Sequence, residues 1–228
     1  MSSDSEKHAA AEAALAYVED GMVVGLGSGS TSLIFVKLLG ERVKSGLKIT
    51  GVPTSEETGR LAEELGIPLV SLQDGVQPDV DIDGSDEVDV NLSLIKGGGG
   101  KLLREKIVAF ASKKVVIIVD SKKLVDKLGA FKLPVEVVPF SIAVVENAIK
   151  DIEGKPVLRK EKDGSIYITD ENNWILDCDF GLIDDPKTLD EKLSSIPGIV
   201  EHGLFINLAD IVLVGENRTV RKIEARSK

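Results

Sequence analysis

Residues 22–44 read MVVGLGSGSTSLIFVKLLGERVK, and this stretch decides the fold class. Residues 22–27 form a short apolar run with the look of a buried strand. From 31 to 44 the apolar positions return at helical spacing, through Leu33, Val36, Leu39 and Val43. Between them lies a turn of glycines and hydroxyl residues, Gly25 to Thr31. Strand, glycine turn and helix in that order open a βα unit of a parallel sheet.

The same alternation continues on both sides. Residues 5–19 carry Ala9, Ala13, Ala16 and Tyr17 at helical spacing, with Gly21 as a stop. KITGV (48–52), IPLVSL (67–72), VDI (80–82) and VVIIVD (115–120) read as strands. A helix opens with a capping box from Thr54 to Glu57 and ends at Gly66, and KLLREKIVAFA (101–111) reads as another. Near Leu133 the rhythm changes. LPVEVVP is extended, a helix follows from Ser141 to about Ile152, and PVLRKE and SIYIT flank a Lys162-Asp163-Gly164 hairpin signal. NWILDCDF is a further strand, and a helix over about 187–195 stops before Pro197. ADIVLVG (209–215) and TVRKIEA (219–225) return to the first sheet. The expectation is an α/β chain: a parallel-sheet domain over 1–132 and 206–228, with a small α+β domain inserted at 133–205.

Composition supports a buried sheet and narrows the partners. The 228 residues are 43% hydrophobic but 4% aromatic, so Val, Ile, Leu and Ala must build the core. The formal charge is -10, a poor match for nucleic acid, and it obliges any anionic substrate to be held by a local pocket. The single cysteine, Cys178, is expected as a buried apolar side chain, and His8 and His202 lack metal-ligand spacing. No apolar run is long enough to span a membrane, and the acidic N-terminal stretch does not resemble a signal peptide, so a cytoplasmic location is expected.

Four segments carry chemistry. In Gly25-Leu26-Gly27-Ser28-Gly29-Ser30-Thr31, glycines allow close backbone approach and helix-start amides favour an anion. Ser28, Ser30 and Thr31 add hydroxyls, which suits a phosphate; a plain capped turn is the competing reading. A dinucleotide site fits poorly, because a third glycine would fall at Ser30 and KITGVPTS supplies no ribose-binding acid. Residues 81–89, DIDGSDEVD, can bind sugar hydroxyls, or serve a magnesium-dependent phosphatase, or simply be a solvated loop. Lys96-Gly97-Gly98-Gly99-Gly100-Lys101 presents bare amides and a cation ahead of a helix. Glu105 stands one turn into that helix, where the dipole favours the ionised base. Asp120-Ser121-Lys122 ends the clearest strand, at the edge where open α/β sheets bind ligands.

Taken together, GLGSGST, DGSDE, KGGGG followed by REK, DSKK, LPVEVVPF and IPGIVEHGLF resemble the ribose-5-phosphate isomerase type A family along essentially the whole chain. The resemblance implies a Rossmann-like domain with an inserted, ferredoxin-like α+β domain, a homodimer or homotetramer, and no metal or organic cofactor. It places substrate loops at Ser28, Gly29, Ser30 and Thr31, at Asp83, Gly84, Ser85 and Asp86, at Lys96, Gly97, Gly98 and Gly99, and at Lys122. It makes Glu105 the catalytic base, acting on a sugar phosphate with Asp83, Asp86 and Lys96. Two positions depart from the family pattern: Gly100, where a small non-glycine residue is expected, and Lys101, in a stretch usually uncharged. Other activities of related folds, a glucosamine-phosphate isomerase/deaminase or a CoA transferase, and a non-catalytic sugar-phosphate sensor are the alternatives.

Overall fold

The computed structural model describes residues 3–216 and 219–225. In chain order the elements are α1 (Ser3–Ala14), β1 (Val23–Leu26), α2 (Ser30–Lys44), β2 (Thr50–Pro53), α3 (Glu56–Glu64), β3 (Val80–Asp83), β4 (Glu87–Val88) and β5 (Leu94–Ile95). Then come α4 (Leu102–Ala111), β6 (Val115–Asp120), β7 (Leu133–Val137), α5 (Ile142–Asp151), β8 (Lys155–Leu158) and β9 (Trp174–Asp179). The chain finishes with α6 (Pro186–Ser194), β10 (Ile199–His202), β11 (Leu204–Phe205), β12 (Ile211–Glu216) and β13 (Thr219–Glu224). No helix among the described residues is long and apolar enough to cross a membrane.

Two compact units result. Unit 1 holds residues 1–85, 104–124 and 207–228, and unit 2 holds 86–103 and 125–206. Residues 86–103 and 125–132, expected in the larger domain, therefore pack with the smaller one. The reason is pairing: β5 bonds to β4 and to β11, and the amide of Val125 donates to the carbonyl of Val88.

Unit 1 is built on a six-stranded sheet of order β13-β12-β6-β3-β1-β2, parallel except for the β12–β13 hairpin. Strand β6 is buried along its whole length, which explains its unbroken VVIIV run, and β3 beside it is buried throughout even though it carries Asp81 and Asp83. On one face Val24, Leu26, Val80, Ile82, Val116 and Ile118 form a core with Ala10, Ala14, Phe35 and Leu39 of α1 and α2. Strand order reverses between β1 and β3, the topological switch point where ligands bind in open α/β sheets.

Unit 2 runs β7-α5-β8-β9-α6-β10 with sheet order β10-β7-β9-β8, all antiparallel: a ferredoxin-like βαββαβ arrangement. Its core gathers Leu133, Val135, Val137, Val145, Ile149, Leu176, Leu193 and Cys178. The Cys178 thiol is buried, and desolvation pushes its pKa far up.

Three local expectations change. IPLVSL forms a single bridge, Leu69 to Gly51, rather than a strand. SIYIT likewise holds only the bridge from Ile166 to Lys160, beyond a turn at Gly164. The α3 cap is Ser55, whose side chain accepts the Thr58 amide, because the Thr54 hydroxyl is already donated to the carbonyl of Leu26.

Candidate active site

In unit 1 the carboxyl ends of β1 and β3 build a loop around one buried carboxylate. Asp83, 1% exposed, accepts on a single oxygen from the Ser28 amide (3.1 Å), the Ser32 hydroxyl (3.0 Å) and the Gly84 amide (2.7 Å). This close approach needs Gly27, because a Cβ there would lie 2.1 Å from Asp83 Oδ1 and 2.6 Å from its Cα. Gly29 follows with φ of 86°, a backbone that L side chains rarely adopt, and α2 begins at Ser30. The turn thus directs the first amides of α2 outward, with exposed Gly29 and Ser30 at its tip.

Ser28 differs from expectation. Its hydroxyl is turned inward, 2.8 Å from Thr54 Oγ1, 2.8 Å from Ser55 Oγ and 3.1 Å from Thr58 Oγ1. It anchors the loop to the start of α3 rather than offering an outward hydroxyl. Lys7 was missed by the sequence reading, since a lysine in an amphipathic helix gives no local signal. Its Nζ lies 3.0 Å from Ser30 Oγ and adds a positive charge to the loop.

Lys122 sits in a short turn after β6, exposed, with its amide donating to the Asp120 carboxylate at 3.1 Å. The turn is tied to α1: Glu6 accepts from the amide (3.1 Å) and hydroxyl (2.8 Å) of Ser121, and Ser3 donates to Asp120 at 2.9 Å. Such close seating of α1 depends on Gly215, where a Cβ would fall 1.9 Å from the Glu6 carbonyl. Helix α1 therefore touches both the Ser30 loop and the Lys122 turn.

Glu105 is 5% exposed in the first turn of α4, whose residues from Arg104 onward belong to unit 1. Val108, on the same helix face, packs at Gly25: a Cβ there would sit 2.8 Å from Val108 Cγ1 and 2.5 Å from Asp81 Oδ1. Helix α4 connects parallel strands and so runs against them. Glu105 lies three residues before Val108 along α4, about 4.5 Å nearer the carboxyl ends of the strands, on the side of the helix that faces the sheet. Asp81, 0% exposed, was not among the expected site residues.

In unit 2, Asp86 follows the Gly84-Ser85 turn of unit 1 in sequence, and its carboxylate accepts the Gly98 amide at 2.7 Å. Lys96 directly follows β5 at 3% exposure, with Nζ 5.5 Å from the Phe205 ring centroid. Residues Gly97 to Gly100 form a tight turn closed by the Gly100 amide on the Gly97 carbonyl (2.9 Å), with φ of 96° and 73° at its ends. Gly98 and Gly99 stand exposed at its tip. Among the described residues no group of three or more His, Cys, Asp or Glu is placed to hold a metal ion.

Comparison with known proteins shows the family of the chain. The family model for ribose 5-phosphate isomerase A (phosphoriboisomerase A) matches residues 50–219. The ribose-5-phosphate isomerase A of Nitrobacter hamburgensis is 50% identical, covering 99% of this chain and all of its own. That of Parvibaculum lavamentivorans is 50% identical over the same shares. Among solved structures, ribose 5-phosphate isomerase A from Methanocaldococcus jannaschii superposes with a TM-score of 0.94 at 42% identity, covering 98% of this chain and all of that one. A D-ribose-5-phosphate isomerase in complex with phospho-erythronic acid gives a TM-score of 0.95 at 42% identity, with the same coverage. With the family model matching well over half its length and these relatives matching it nearly end to end, the chain belongs to the ribose 5-phosphate isomerase A family.

Proposed function

We propose that this chain interconverts D-ribose 5-phosphate and D-ribulose 5-phosphate through an enediolate, with Glu105 as the base. The observation that carries the assignment is a buried carboxylate at the start of α4, a helix that packs on β1 beside β3, the pair at the switch point of the unit 1 sheet. The Glu105 carboxylate removes the C2 proton of the open-chain aldose, and the electron pair moves onto O1. The same carboxyl then returns the proton to C1 while the O2 proton passes to O1, leaving the ketose with no net change in atoms.

A free Glu titrates near pH 4.3, far below a proton alpha to a carbonyl. The developing oxyanion must therefore be stabilised, and Lys96 with the glycine-turn amides is suited to that task. Ser30, Thr31, Lys122 and Lys7 are suited to the phosphate, and the helix-start amides beside Gly29 strengthen that assignment. Asp83, at the carboxyl end of β3, is assigned to sugar hydroxyls. Asp86 shares the hydroxyl role, and one of the two assists ring opening. The acid bound by the relative, phospho-erythronic acid, is a phosphorylated carboxylic acid and is expected to compete with substrate here.

Glu105→Gln tests the assignment. It is expected to lower kcat by about 100- to 10,000-fold with little change in KM, and a variant of wild-type activity removes Glu105 as base. Deuterium from solvent should enter substrate carbon during turnover. Activity should survive EDTA, and an absolute magnesium requirement would overturn the metal-free route. We place the enzyme in the cytoplasm, in the non-oxidative pentose phosphate pathway, as a homodimer or homotetramer. Light scattering should then give two or four times 24.4 kDa, and a monomer of full activity would contradict the oligomer.

A further inference from the structure

Within unit 2 the glycine turn is held from behind by a single hairpin. Arg159, just after β8, meets Asp177 of β9 through two parallel bonds, Nε at 3.0 Å and Nη2 at 2.5 Å. Its remaining nitrogen, Nη1, donates to the carbonyls of both Gly97 (3.0 Å) and Gly98 (3.1 Å). Tyr167, whose ring lies 5.6 Å from the guanidinium, donates its hydroxyl to the carbonyl of Gly99 at 3.1 Å. Burial raises the pKa of that phenol, so it stays a donor at neutral pH. Three successive glycine carbonyls are thus taken from one side.

The two departures from the family pattern belong to the same arrangement. A Cβ at Gly100 would lie 2.3 Å from Tyr167 Oη, so the phenol needs a glycine there. Lys101 Nζ pairs with Asp170, just beyond Tyr167, at 2.5 Å.

Peptide geometry turns this into a statement about chemistry. Among the described residues there is no cis peptide bond, and in a trans unit the C=O and N–H point in opposite directions. Carbonyls of Gly97 and Gly98 fixed toward Arg159 therefore force the amides of Gly98 and Gly99 away from it. The Gly98 amide points to Asp86, and that of Gly99 is directed to the same side. A run of four glycines has many backbone states to choose from, and without a tie from behind its amides would not share one direction.

We infer that Arg159 is a positioning residue of the isomerase: it locks the peptide planes of the 97–99 turn so that the Gly99 amide is aimed before the oxyanion forms. This rests on the assignment of the Lys96–Gly99 turn to oxyanion stabilisation. Lysine cannot replace it, since a point charge on a flexible stem cannot hold Asp177 bidentately and bind two carbonyls at once.

The test measures ribose 5-phosphate kinetics and thermal midpoints for Arg159→Ala, Arg159→Lys, Tyr167→Phe and Lys96→Met. Arg159→Ala is expected to lose about 10- to 100-fold in kcat with KM little changed, and added guanidinium ion, but not ammonium, should restore part of the loss. Arg159→Lys should stay impaired, and Tyr167→Phe should lose only a few-fold. An inactive Lys96→Met beside an Arg159→Ala of wild-type kcat overturns the clamp and leaves the turn's role standing. If both variants keep wild-type kcat, the assignment of the turn falls and the clamp with it. Should Arg159→Ala not fold, Arg159→Lys decides: folded with wild-type kcat, it overturns the clamp. A folded, slow Arg159→Ala that guanidinium does not rescue reduces Arg159 to a structural part and also overturns it.

Discussion

The molecule carries two glycine-rich loops that solve the same problem in different ways. Both are proposed to present backbone amides, and in each an aspartate accepts one of them. The 27–31 loop is held by Asp83, which takes three donors on one oxygen, and by the buried hydroxyls of Thr54, Ser55 and Thr58 around Ser28. Its amides then continue into α2, so a helix dipole holds their direction. The 97–100 turn runs into α4 only at Leu102, and its tip owes its direction to a cation and a phenol from residues about sixty positions away. A loop that flows into a helix inherits its amide alignment. A free-standing turn must have that alignment imposed by tertiary contacts.

Glycine substitutions should expose the difference most strongly. Gly27→Ala drives a methyl into Asp83 and its backbone, and should cost about 3 kcal/mol or prevent folding, read as a urea midpoint. A Gly27→Ala protein of unchanged midpoint would show that the Asp83 packing is dispensable. Next in size, Ser32→Ala removes one of three donors to a buried carboxylate and should cost about 2 kcal/mol. It should also raise KM, because the loop it loosens is the one assigned to phosphate; a changed kcat at constant KM would break that link.

Gly99→Ala should do little to stability, within about 0.5 kcal/mol. Among the described residues a Cβ there meets no heavy atom within 4 Å. A midpoint drop as large as that of Gly27→Ala would erase the contrast between the loops.

The smallest effect tests the frame beside the turn. Glu136 of β7 is 1% exposed and accepts from Thr169 and Asn173 at 2.8 and 3.0 Å. Desolvation raises its carboxyl above the ordinary Glu value despite those bonds. The unfolded chain therefore loses this proton first as pH rises. The resulting cost to stability is absent below the unfolded value and complete above the raised folded one. The melting point of Glu136→Gln relative to wild type should thus rise as pH climbs above the ordinary Glu value of about 4.3. A difference independent of pH would show that Glu136 titrates normally.

Much of the site was legible because its signals are local. Gly-rich turns after apolar runs, a carboxylate run after a short strand, and a glutamate one turn into a helix are each written within ten residues. What could not be read depends on partners distant in sequence. The Ser28 hydroxyl looks like a ligand donor until α3 is folded beneath it. Lys7 is an ordinary helical lysine until α1 docks on β12 and brings it to Ser30. Gly100 and Lys101 looked like stray departures until Tyr167 and Asp170 met them. IPLVSL and SIYIT have strand composition but too few pairing partners, and composition does not count neighbours.

Most of the alternation of strands and helices and the identity of the chemical groups follow from residue type and spacing, because periodicity and turn chemistry act over a few residues, and the family followed from the resemblance of the motifs taken together. Which way those groups face was decided only on folding. Hydrogen-bond direction depends on atoms brought together from far along the chain, and it was tertiary packing that turned Ser28 inward and the amides of Gly98 and Gly99 away from Arg159.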